Sequence, residues 1–139
     1  MRYFTVALVL FLGCASTAHV SATGAAGRPV FQISSWWRPV KVLGIIVYEN
    51  ADQRPLRSVC RLKRVAPPEA DFLVEINRWE YGASVNSNYQ AQNCEPLQIG
   101  REYSIAVPHV GLCGTGTRFR LQSDGTVQDL GPHWSGCDM

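Results

Sequence analysis

Two patterns of apolar residues divide the chain. The first is a nearly unbroken run from Tyr3 to Leu12, preceded by Arg2 and followed by Gly13-Cys14-Ala15-Ser16-Thr17-Ala18. From Pro29 onward apolar and polar residues alternate instead, far more often with a period of two than at helical spacing. That alternation predicts strands over 29–34, 40–48, 56–65, 72–81, 102–107, 117–122 and 127–130, separated by clusters of Pro, Gly, Asn and Asp. About seven short strands with such punctuation predict an all-β, two-layer sandwich. The stretch 40–48 is nearly all apolar, which fits a central strand, although periodicity alone does not separate it from a buried helical turn. In 56–65, Leu56, Ser58, Cys60 and Leu62 share one face, and Arg57, Val59, Arg61 and Lys63 the other.

The N-terminal run has the three parts of a secretory signal: a positive charge, an apolar core too short to span a bilayer, and a small-residue exit. Residues 1–22 are therefore expected to be a signal peptide, 23–28 a flexible tether and 29–139 a single small sandwich domain, Ig-like or transthyretin-like in layout. The exit reads in more than one way. Phe11-Leu12-Gly13-Cys14 resembles the lipobox of bacterial lipoproteins, which implies lipidation of Cys14 and a protein tethered in the periplasm. Ordinary cleavage after Ser16-Thr17-Ala18 or after Val20-Ser21-Ala22 fits as well, because a signal peptidase accepts small side chains before the cut.

Cysteine parity points the same way. The chain has 5 Cys, and setting Cys14 aside leaves Cys60, Cys94, Cys113 and Cys137, an even set that in an exported small domain reads as two disulfides. Asp124-Gly125 between two alternating runs predicts a two-residue hairpin, in which facing residues sum to about 249. Cys113 then falls opposite Gly136, beside Cys137, and Cys60 pairs with Cys94 by exclusion.

Composition adds little specificity. Hydrophobic residues are 46% and charged residues 17%, enough apolar material for one core. The formal charge of +2 falls to +1 if Arg2 leaves with the signal, which is not the balance of a nucleic-acid binder. Membrane association is expected only through a lipid on Cys14, and no cofactor is implied.

Two surfaces attract suspicion. The first is a basic face made by Arg57, Arg61 and Lys63, joined by Arg118 and Arg120 if both strands lie in one sheet, with Glu75, Glu80 and Glu102 as neighbouring counter-charges. The second is aromatic. Adjacent Trp36 and Trp37 on an extended chain must point opposite ways, which brings one ring, with Arg38, toward the surface. Trp79 and Tyr81 share a strand face, and the loop 82–93, rich in Asn, Ser and Gln, carries Tyr89. Rings beside amides suit sugars, and Trp, Tyr and Arg suit protein recognition; rings plugging the ends of a core are the structural alternative.

Other chemistry finds little support. His109 and Cys113, and His133 and Cys137, repeat a His-x-x-x-Cys spacing that could supply a zinc centre, but the hairpin register separates the histidines, so no metal is expected. No nucleophile elbow, zincin helix or phosphate loop is present. Glu75, Glu80 and Glu102 could form a carboxylate pair, and His109 or His133 could serve as a base, without any spacing that singles them out.

Cys94-Glu95-Pro96-Leu97-Gln98-Ile99-Gly100-Arg101-Glu102-Tyr103-Ser104-Ile105 resembles the segment leading into a late strand of small periplasmic immunity lipoproteins of type VI secretion systems. The likeness spans about a tenth of the chain, and Pro-x-x-x-Gly is also how a sheet protein turns between strands. It implies no catalytic residues, only a protein that binds and blocks a toxin. The expected function is thus a non-enzymatic exported binding protein, engaging a protein or the cell envelope through Trp36-Trp37-Arg38 and the 81–93 loop. Carbohydrate binding is the alternative, and a secreted enzyme the third.

Overall fold

The computed structural model describes residues 18–25, 27–35, 42–49, 57–65, 76–108 and 115–132. These form nine strands and no helix: β1 (Ala18–Ala25), β2 (Arg28–Ser35), β3 (Gly44–Glu49), β4 (Ser58–Arg64), β5 (Arg78–Glu80), β6 (Tyr89–Gln92), β7 (Glu102–Val107), β8 (Thr115–Leu121) and β9 (Val127–Pro132). All described pairings are antiparallel, in a three-stranded sheet β1-β2-β5 and a six-stranded sheet β6-β4-β3-β7-β8-β9.

Alternation decides which side chains enter the space between the sheets. Ile45 and Val47, Cys60 and Leu62, Tyr103, Ile105 and Val107, and Phe119 and Leu121 are buried from the larger sheet, and Val20, Ala22, Phe31, Ile33 and Trp79 from the smaller. The layers meet through rings. Phe31 stacks on Trp79 with centroids 5.6 Å apart and meets Phe119 edge-on at 5.1 Å, while Phe119 stacks on Tyr103 at 5.7 Å. Each such contact is worth about 0.5–1.5 kcal/mol beyond the area it buries.

Two strands exceed the expected set. β6 was expected to be loop because of its Asn and Gln content, yet Tyr89 and Ala91 alternate with Gln90 and Gln92 and pair with β4. β1 corrects the domain boundary: residues 23–28, expected to be a tether, are the end of β1, the connection and the start of β2, and the β1–β2 register runs from Ala18↔Ser35 to Ala25↔Arg28. The sandwich therefore starts before Pro29.

β1 also closes the seam against β9. An isolated bridge joins Ala25 to Thr126, and farther along the Ala22 N–H donates to Asp129 Oδ2 at 2.9 Å. The other oxygen, Oδ1, accepts the Gly131 N–H and the hydroxyl of buried Thr117, each at 2.8 Å. A carboxylate thus takes three donors where a regular ladder would use backbone carbonyls.

The hairpin between β8 and β9 departs from the expected turn by one residue. Gln122 N–H bonds to Thr126 O, leaving Ser123, Asp124 and Gly125 as a three-residue loop with Gly125 at φ 86°. Asp124 accepts the Thr126 hydroxyl and N–H, and these bonds hold its carboxyl below the usual carboxylate range. Phe119 consequently faces Asp129, but a bulge at Leu130 restores the expected register, so that Arg118 faces Gly131 and Thr117 faces Pro132. Among the described residues one disulfide is present, Cys60–Cys94, tying β4 to the segment after β6. Cys14, Cys113 and Cys137 lie outside the described residues, as do His109 and His133.

Two substitutions test this account. A Cβ at Gly116 would stand 2.2 Å from the Ile105 carbonyl oxygen, so Gly116→Ala must push β7 and β8 apart and is expected to lower unfolding free energy by about 3 kcal/mol in urea titrations. Replacing Cys60 and Cys94 together by Ala opens a loop of 34 residues and should cost about 2–4 kcal/mol by the same measurement.

Candidate functional site

The aromatic residues expected to bind are, where described, internal. Trp79 is buried, and its indole N–H donates to the Ala83 carbonyl at 2.8 Å. Tyr89 is buried as well, its hydroxyl donating to Val42 O at 2.7 Å. Tyr81 is half-buried and lies against Trp79, with its hydroxyl 2.6 Å from Glu95 O. Burial, with Tyr103 and the Glu95 carboxylate nearby, pushes that hydroxyl far above the ordinary tyrosine range, so it stays a neutral donor. These rings fix the 81–95 segment to the core, and Trp79 and Tyr89 cannot stack on a ligand at the surface. Trp36, Trp37 and Arg38 lie outside the described residues.

The basic face fares differently. β4 and β8 do belong to one sheet, with β3 and β7 between them. On its outer side Arg61 faces Gln92 and Ile46, Lys63 faces Gln90 and Gly44, Tyr48 faces Ser104, and Arg118 and Arg120 face Ser104 and Glu102. Arg57 does not join them. The register shift beside Tyr48 makes Val59 an extra, buried residue, and Arg57 sits beyond it, ion-paired to Glu95 at 2.6 Å and to Glu49 at 3.4 Å. Arg101 also pairs with Glu49.

Counter-charge on the outer side is sparse among the described residues. Glu102 is shared by Arg118 at 3.4 Å and Arg120 at 3.3 Å, whereas exposed Arg61 and Lys63 have no carboxylate within ion-pair distance among the described residues. Glu80 is on the other sheet and pairs with Arg28, and Glu75 lies outside the described residues. Among the described residues, four cations therefore meet one carboxylate on this face.

Between the cations the floor is low and partly apolar. Gly44, Ala106 and Gly116 carry little or no side chain, and half-buried Ile46 and Tyr48 rise beside them. The Nε of Arg118 is shielded from solvent with no acceptor among the described residues. A sheet face with an apolar centre and a cationic border can bind by burying Tyr48 and steering an anionic partner. The sequence signalled the cations by alternation; Ile46 and Tyr48 were hidden inside an all-apolar run.

No group of three or more His, Cys, Asp or Glu residues suited to a metal occurs among the described residues. Comparison with protein-family models, characterised proteins and solved structures finds no match.

The internal placement of Trp79 has a direct test. Trp79→Ala should cost about 3–5 kcal/mol of stability, while Trp79→Phe, read by near-ultraviolet circular dichroism and thermal melting, should keep the fold.

Proposed function

We propose that this protein is an exported, non-enzymatic binding protein whose partner is another protein with an acidic surface, docked on the outer face of the six-stranded sheet. The observation that carries the reading is that, among the described residues, the four cations Arg61, Lys63, Arg118 and Arg120 stand with one carboxylate, Glu102, around Ile46 and Tyr48. The signal-like N-terminus and the Cys60–Cys94 bond support an oxidising destination, periplasmic or secreted. The immunity-type resemblance supports a protein as partner, with the partner's blocked surface supplying the carboxylates. Carbohydrate binding loses support, because the rings of Trp79 and Tyr89 are withdrawn into the core.

The test compares capture of envelope proteins by the wild type, by Arg61→Glu/Lys63→Glu and by Arg28→Glu/Arg78→Glu on the opposite sheet. The first pair should weaken retention of the captured protein about tenfold or more, most strongly at low salt. The second pair should leave it unchanged, with all three proteins melting alike. Equal retention by both double variants would remove the site.

A further inference from the structure

We infer, on the reading that the chain is exported, that its signal is cut at or before the Ala18-His19 bond and that the mature protein keeps β1 from His19 onward. The sequence offers exits at Cys14, Ala18 and Ala22. The fold argues against the last of them.

A cut after Ala22 removes most of a strand that the sandwich uses. Val20 and Ala22 are buried in the core, and His19, Val20, Ser21 and Ala22 face Ser34, Ile33, Gln32 and Phe31 of β2. Their loss would turn β2 into an open edge along those positions, with unpaired N–H and C=O groups and the Phe31 and Ile33 side of the core uncovered. Asp129 Oδ2 would lose the Ala22 N–H, and only Thr23, Gly24 and Ala25 would remain to hold the seam through the Thr126 bridge. A cut after Ala18 takes away one terminal pairing, Ala18↔Ser35, and leaves every one of these contacts. Hydrolysis there adds water across the peptide bond, giving an Ala18 carboxylate on the signal and a free His19 amine on the domain. An acylated Cys14 terminus lies farther upstream and keeps the strand equally.

Small residues therefore serve two purposes in this stretch. Ser16 and Ala18 suit the peptidase, and the alternation of His19, Ser21 and Thr23 with Val20 and Ala22 suits a strand. The second small triplet, Val20-Ser21-Ala22, looks like a cleavage site only because β1 is built from small side chains.

The experiment has two arms. The full chain is expressed with its own N-terminus in a secreting bacterial host, and the N-terminus of the processed protein is found by intact mass and sequencing. A terminus at His19, or an acylated Cys14, supports the inference; Thr23 overturns it while leaving export intact. An unprocessed chain kept in the cytoplasm overturns the export reading instead. The second arm then decides the structural claim: chains beginning at His19 and at Thr23 are refolded with the disulfide formed and melted. The shorter chain should melt about 10 °C or more below the longer, and equal melting overturns the claim that β1 is indispensable.

Discussion

The stability of this protein hangs on a column of rings that runs through the sandwich. Tyr81, Trp79, Phe31, Phe119 and Tyr103 follow one another at ring spacings of 5.1 to 6.0 Å, two from the three-stranded sheet, two from the six-stranded sheet and one from the chain leaving β5. Phe31 stands at the crossing, fully buried, with a neighbour in each layer. Because β5 has only three residues, backbone pairing alone would hold it weakly. Trp79 supplies the anchor. Its ring packs on Phe31 and its N–H donates to the Ala83 carbonyl, so the short strand is held through its central residue.

Much of the fold was legible because period-two alternation survives even in short strands. β2, β4, β7, β8 and β9 sit within a few residues of their expected positions, and Cys60 meets Cys94 as parity and exclusion required. The two unexpected strands share a cause: their composition and their period point in different directions. Tyr89-Gln90-Ala91-Gln92 has the alternation of a strand but the amides of a loop, and 18–25 has the alternation of a strand but the small residues of a signal exit. The expected two-residue turn at Asp124-Gly125 is one residue too short, and the bulge at Leu130 compensates for it, so the pairings of Arg118 with Gly131 and Thr117 with Pro132 match the expected register through two opposite departures.

The site was legible in part, and for a physical reason. Alternation states which residues share a face, but not which faces share a sheet, so Arg61 and Lys63 could be grouped while their relation to Arg118 and Arg120 waited on topology. A bulge is invisible to the same rule, and it took Arg57 out of the group by inserting Val59. Aromatic residues mislead in the opposite direction. A tyrosine or tryptophan with a polar tip reads as a surface ring, yet Tyr89 and Trp79 use those tips on carbonyls inside the domain, where an unmet donor would be costly.

The seam at Asp129 gives this architecture an unusual dependence on sequence. A β-ladder is made by groups that every residue except proline possesses, so neighbouring strands ordinarily stay paired through most substitutions. Here, at the edge between β1 and β9, one of the links is a side-chain carboxylate that also holds Thr117 and Gly131. The union of the two sheets is thus encoded at a single position as well as in the backbone. Loss of that carboxylate would remove this link, while the Thr126 bridge and the buried Val20, Ala22, Phe31 and Ile33 would continue to hold the N-terminal hairpin to the rest.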